Sequence, residues 1–146
     1  MPRAHHALSS LSAEDVMTPN PVTVGNTSTV QDAADMMVAA DVRHLPVVTH
    51  GTLMGMISDR DLRSYMLPRP EKVLHADEAR TRMAASVSAV MRTDVITVRP
   101  DTPVAALIDI LLKEKIGAVP VLAPDTGELL GIVSYIDVLR AMRPFI

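Results

Sequence analysis

The chain has 146 residues, 48% of them hydrophobic, enough to bury the core of one domain of average size. A formal net charge of -3 and 2% aromatic residues give neither the basic field nor the stacking surfaces that nucleic-acid binders use, so nucleic acid is disfavoured as a partner. Cysteine is absent, which excludes disulfides, thiolate metal sites and a cysteine nucleophile, and no apolar run reaches the roughly 18 residues of a membrane span.

In chain order, Met1 to Ala13 reads as a polar lead without the apolar stretch of a secretory signal, and we expect a soluble, cytoplasmic protein. Ser12 with Asp15 can cap a brief helix that ends before Pro19 and Pro21, after which Val22 to Val24 is extended. Ser28 is expected to open a helix, with Gln31 at the capping-box position and Val30, Ala33, Ala34 and Met37 as its apolar stripe. Leu45 to Val48 and Leu53 to Ile57 bracket a tip holding Gly51 and read as a hairpin. Its second strand runs through Gly55-Met56-Ile57 into Ser58-Asp59-Arg60-Asp61, and Asp61 to Met66 forms a closing helix. Leu67 to Ser86 reads as a connector, with Pro68-Arg69-Pro70 stopping the closing helix and a further helix through Ala76 to Ala85.

The same order then recurs. Val16-Met17-Thr18 matches Val90-Met91-Arg92 at an offset of 74 residues (Met17 to Met91), and Val22-Thr23-Val24 matches Ile96-Thr97-Val98 at that offset. Thr102 is the expected cap of the second long helix, with Pro103 in its first position and Val104, Leu107, Ile108 and Leu111 as its stripe. Val119 to Leu122 and Leu129 to Val133 repeat the hairpin around a tip two residues longer, and Asp137 to Met142 repeats the closing helix. Two pseudo-symmetric halves of one module account for a repeat this long better than a solenoid, which needs three or more units. The expected partition is a lead over 1–11, a first motif over 12–66, the connector over 67–86 and a second motif over 87–146.

Chemistry concentrates where a strand enters a helix. Ser58 with Asp61, and Ser134 with Asp137, have the Ser-x-x-Asp spacing of a capping box, in which the hydroxyl accepts from a first-turn amide and the carboxylate reaches back. That alone is structural, but free amides at a helix start also suit an anion, and an acidic side chain there suits a neutral donor such as a ribose diol. The halves differ in charge: Arg43 and His44 correspond to Gly117 and Ala118, and Arg60 to Ile136. Arg43 could instead pair with Asp41 or Asp59, and His44 could be a satisfied histidine at a strand start. His5, His6, His50 and His75 show no metal-ligand spacing, and Lys113-Glu114-Lys115 reads as a solvated helix end. No serine triad order, phosphate-binding glycine loop or paired carboxylates suggest catalysis, so neither an enzyme activity nor a metal is expected.

The pattern of Val-Met-Thr-Pro, Val-Thr-Val, Arg-His-Leu-Pro-Val-Val and Gly-Met-Ile-Ser-Asp-Arg-Asp-Leu resembles a cystathionine-beta-synthase (CBS) domain, and Val90 to Leu139 resembles a second. The resemblance covers about residues 12 to 143, the connector excepted. It implies an α/β fold of the α+β type: a stand-alone CBS pair, or Bateman module, of two beta-alpha-beta-beta-alpha units about a pseudo-twofold axis, with two clefts for adenosyl ligands. It also implies a homodimer that signals to a client protein. AMP, ADP or ATP are the expected ligands, with S-adenosylmethionine or NADH behind them, and no cofactor is obligatory. Carried over by residue, Asp61 and Asp137 would bind ribose hydroxyls, and Ser58 and Ser134 phosphate or ribose. Arg43, His44 and Arg60 would meet the phosphates of the ligand at Ser58 and Asp61, whose base would lie against Ile96, Ile116, Ala118 and Val119. The cleft at Ser134 and Asp137 would take its base pocket from Val22, Val42 and Leu45, with little cationic help. The rival expectation is a dimeric scaffold with vestigial clefts.

Overall fold

The computed structural model of the chain describes residues 10–67 and 75–146. The expected Pro68-Arg69-Pro70 stop, together with His5 and His6, lies outside the described residues. In chain order the elements are α1 (Ala13–Val16), β1 (Thr18–Pro19), β2 (Val24–Gly25), α2 (Val30–Ala40), β3 (His44–Thr49), β4 (Thr52–Ser58), α3 (Asp59–Met66) and α4 (Ala76–Ala84). A 3-10 turn (Val87–Ala89), α5 (Val104–Glu114), β5 (Ala118–Leu122), β6 (Leu129–Ser134), α6 (Tyr135–Met142) and a 3-10 turn (Arg143–Phe145) follow. Among the described residues no helix is long and apolar enough to cross a membrane.

Contacts gather these elements into two compact units, Val22–Val95 and a second made of Met1–Pro21 with Ile96–Ile146. In the Val22–Val95 unit, β2 pairs parallel with β3, and β3 pairs antiparallel with β4. Its core joins Val30, Ala33 and Met37 of α2 to Leu45, Val47, Ile57, Leu62 and Val87. The predicted stripe is therefore the face that α2 buries. Arg82 ties α4 to α3, donating to the Tyr65 carbonyl while its guanidinium lies over the Tyr65 ring.

The other unit repeats this plan. β5 and β6 pair antiparallel, Val98 bridges in parallel to Val121, and Val104, Leu107 and Leu111 of α5 enter a core with Val119, Val121, Val133 and Val138. The extra strand on β6 comes from the start of the chain: β1 lies antiparallel to it, with Thr18 opposite Ile132. Ala13 is fully buried in this core, its amide donating to the Thr102 carbonyl at 2.8 Å. In the Val22–Val95 unit the segment after α4 takes the matching place. The Met56 amide donates to the Arg92 carbonyl at 2.9 Å, and the Arg92 amide returns to the Met56 carbonyl at 2.8 Å.

A glycine makes each of these crossings possible. A Cβ on Gly55 would stand 2.5 Å from the Arg92 carbonyl oxygen and 2.9 Å from the Met91 sulfur. One on Gly131 would stand 2.5 Å from the Met17 sulfur and 2.9 Å from the Thr18 carbonyl oxygen. Both strands must lack a side chain there for the Met-Thr or Met-Arg segment to lie alongside.

The closing helices start two residues earlier than expected, at Asp59 and Tyr135, and two helix caps also differ from expectation. α2 is capped by Thr29 with Asp32, not by Ser28 with Gln31: the Asp32 amide donates to Thr29 Oγ1 at 3.0 Å, and the Thr29 amide to Asp32 Oδ2 at 2.9 Å. Ser28 is drawn away because its Oγ accepts from the Gly25 amide at 3.2 Å. In α5 the cap position is Pro103 rather than Thr102, whose Oγ1 accepts from the Arg99 amide at 3.0 Å and closes the preceding turn. The helix through Ala76 is present, ending at Ala84.

Candidate functional site

The corner where β4 turns into α3 gathers five of the expected site residues, Ser58, Asp61, Arg60, Arg43 and His44. Ser58 is the N-cap: the Asp61 amide donates to its Oγ at 3.0 Å, and its own amide donates to Asp61 Oδ2 at 3.0 Å. The capping role is thus realised in full and consumes one oxygen of the Asp61 carboxylate. The other oxygen, Oδ1, accepts from Arg92 Nε at 3.2 Å. The Asp61 side chain is 12% exposed and that of Arg92 61%, so the carboxylate is sheltered while the guanidinium reaches solvent.

Strand register brings two cationic candidates to the same corner. His44 stands opposite Ser58 in the β3–β4 ladder, and the Asp59 amide donates to the Arg43 carbonyl at 2.8 Å. Burial holds the His44 imidazole below its usual range; Asp61 and then Asp59 oppose that shift, and Arg43 adds to it. Asp59 is held by Arg63 at 3.3 Å, while Arg43 makes no such ion pair among the described residues. Arg60 is exposed on the first turn of α3.

The corner between β6 and α6 has the same frame with different chemistry. The Ser134 amide donates to Asp137 Oδ2 at 2.9 Å, and the Asp137 amide to Ser134 Oγ at 3.2 Å. Thr18 Oγ1 donates to Asp137 Oδ1 at 3.2 Å, in the place that Arg92 takes on Asp61. Arg140 Nη1 lies 3.8 Å from the same oxygen, and Asp137 is only 9% exposed. Gly117 and Ala118 stand where the other corner has Arg43 and His44, and the Tyr135 amide donates to the Gly117 carbonyl.

The apolar candidates divide by burial within their own units. Leu45 on β3 and Val119 on β5 are both at 0% exposure, each in the core of its own unit, and Ala118 is buried on β5 next to Val119 in sequence. Ile96, Ile116 and Val42 are half-buried, and Val22 is exposed. A groove of about 530 Å³ runs along α2, α3 and Met83, walled by Val30, Ala34, Met37, Leu62 and Met66. Arg43, Asp59 and Arg63 stand in its wall, but Ser58, His44 and Asp61 do not, so groove and corner are separate features.

Thr18 and Arg92 were not among the residues expected to matter. The available signal was the match of Val16-Met17-Thr18 to Val90-Met91-Arg92 in front of two crowded glycines. It names the pair as equivalent without showing which carboxylate each one meets.

The pattern that defines the CBS domain family matches residues 13–68 and 87–144. The CBS domain-containing protein YhcV of Bacillus subtilis is 29% identical over 126 residues, covering 86% of this chain and 81% of YhcV. Some relatives are much longer: the homoserine O-acetyltransferase of Methanocorpusculum labreanum is 29% identical over 128 residues, which are 87% of this chain but 23% of that protein. The chain thus spans about a quarter of that relative's length. Among solved structures, CBSX2 in complex with AMP superposes with a TM-score of 0.76 at 28% identity, covering 92% of this chain and 97% of CBSX2. The CBS domain pair of MJ0100, in complex with 5'-methylthioadenosine and S-adenosyl-L-methionine, also reaches 0.76 at 25% identity, over 93% and 98% of the two chains. Two mixed α/β units with matching strand-to-helix corners, both spanned by the family pattern, place this chain in the CBS domain family.

Proposed function

We propose that the chain is a regulatory module that binds an adenine nucleotide at the β4–α3 corner and passes its occupancy to a partner protein through the state of a homodimer. Asp61 accepts from the ribose, and Ser58, His44, Arg43 and Arg60 take the phosphates. The observation that carries this reading is the asymmetry of the two corners, one flanked by Arg43 and His44 and the other by Gly117 and Ala118. Support comes from the AMP held by CBSX2 and the adenosyl compounds held by MJ0100. Ligand shifts the assembly only by the difference in its affinity for two arrangements, so the signal is bounded by that difference.

Calorimetric titration with AMP, ADP, ATP, S-adenosylmethionine and NADH tests it. We expect at least one adenine nucleotide to bind, and Asp61→Asn, which keeps a capping acceptor but loses the charge, to weaken it about tenfold or more. Asp137→Asn should leave that affinity within about twofold. Absence of binding at about 1 mM by every compound would reject the sensor reading.

A scaffold reading is favoured by a different observation. Val38 on α2 and Leu112 on α5, equivalent in the repeat, are 83% and 72% exposed, and each is an apolar side chain that a partner surface would cover. No melting shift with any adenosyl compound, together with a dimer that Leu112→Lys dissociates, would select it.

A further inference from the structure

We propose that Arg92 sets the ligand class of the β4–α3 corner, making it select nucleotides over nucleosides; this rests on the ribose contact proposed for Asp61. Each corner has one carboxylate oxygen committed to the cap and one held by the residue that follows Val-Met: Arg92 on Asp61 at 3.2 Å, Thr18 on Asp137 at 3.2 Å. The geometry is shared but the close donor differs: a guanidinium at hydrogen-bond distance on Asp61, and on Asp137 a neutral hydroxyl, with the exposed Arg140 farther off at 3.8 Å.

That difference has a chemical consequence. With the Asp61 side chain only 12% exposed and Oδ2 already accepting from the Ser58 amide, a diol that donates to Oδ1 crowds the guanidinium on the same oxygen. A nucleoside breaks the Arg92–Asp61 pair, putting a neutral hydroxyl on the carboxylate in place of a cation and leaving the guanidinium to solvent alone. A nucleotide breaks the same pair but brings phosphate oxygens, on which the displaced guanidinium finds a charge-assisted hydrogen bond. The arginine can make that exchange: its backbone is fixed to Met56 by two hydrogen bonds, while its side chain is mostly exposed. Asp59, the nearest competing carboxylate on α3, is already occupied by Arg63 at 3.3 Å. At the Asp137 corner an uncharged ligand displaces the neutral Thr18 hydroxyl, while the exposed Arg140, 3.8 Å from that oxygen, can stay beside the carboxylate.

The test is calorimetric titration of AMP and adenosine into the full chain, as wild type, Arg92→Thr and Arg92→Lys. Arg92→Thr installs the donor of the other corner, and the Thr18 precedent indicates that a hydroxyl can hold this oxygen. We expect its AMP affinity to fall about fivefold or more while its adenosine affinity holds or rises, so that the AMP-to-adenosine ratio drops by about fivefold or more. Arg92→Lys, which keeps the charge, should retain most of the ratio. A purely structural role would move both ligands together, so a ratio in Arg92→Thr within about twofold of wild type overturns the proposal. If wild type binds neither compound, this proposal fails, and the ribose reading fails with it when ADP and ATP do not bind either; if wild type binds AMP and only the ratio is insensitive, the ribose reading survives alone.

Discussion

A single carboxylate shows how structural and functional demands divide at the level of atoms. Asp61 Oδ2 serves the backbone by accepting from the Ser58 amide, a capping interaction worth about 1 kcal/mol, and only Oδ1 is left for other chemistry. The spacing of Ser58 and Asp61 makes the first role legible, whereas the partner of Oδ1 comes from 31 residues away and has no local signature. His44 offers a prediction of its own. Burial depresses its folded-state value below the ordinary 6.5, so the unfolded chain takes up its proton first as the pH falls. Its contribution to stability is therefore intact above the unfolded value and is lost as the pH drops from there through the folded value. Chemical denaturation of wild type and His44→Gln, compared at about pH 8, 6.5 and 5, should show wild type losing stability relative to the variant on acidification. A constant difference across that range would mean that the imidazole is not disfavoured in its charged form.

At the level of elements, the chain is legible wherever periodicity decides. The stripes of α2 and α5 and the two hairpins read directly from Val30-Ala33-Met37, Val104-Leu107-Leu111 and the Pro-Val strands, because burial enforces those spacings. The start of α2 is ambiguous in sequence because Ser28 and Thr29 are adjacent hydroxyls; Thr29 wins because Asp32 can reach back while Ser28 is taken by the Gly25 amide. Neither capping rules nor periodicity could reveal that α2 and α5 both end on a non-glycine left-handed residue, Asp41 and Lys115, each with φ 54°. The crowded glycines are equally invisible until the neighbouring segment is known. Gly55→Ala and Gly131→Ala should each destabilise by about 1–3 kcal/mol, since a methyl must displace a backbone carbonyl as well as a methionine side chain. Gly51→Ala is strained as well, but by its backbone angle of φ +80° and not by contact, so Gly51→Asn should recover part of its loss while Gly55→Asn should be worse than Gly55→Ala. Urea midpoints of these variants would check the ordering, and a neutral Gly55→Ala would show that the Met91–Arg92 segment does not lie against β4 as described.

At the level of the whole molecule, repeats in sequence and units in space divide the chain differently. The repeat begins near Ser12, yet Met1–Pro21 belongs with Ile96–Ile146, and the segment before Val95 belongs with the first hairpin. Each hairpin is completed by a stretch that sequence order assigns elsewhere: β1 on β6, and the Arg92 bridge on Met56. Cutting the chain before Val22 therefore removes α1 and β1 from the unit formed by Ile96–Ile146, not from the one that follows the cut. That unit loses the buried Ala13, the amide bonds from Ala13 to Thr102 and from Val104 to Leu11, and the strand beside β6. The Val22–Val95 unit keeps its sheet, its core and the Arg92 bridge. Hydrogen exchange followed by mass spectrometry on residues 22–146 should show β6 and α5 losing protection while β3 and β4 keep most of theirs, because local opening reports the stability of the unit that contains it. Loss confined to β3 and β4 would mean that the stabilising contacts of the leading arm follow sequence order, which the pairing of Thr18 with Ile132 contradicts.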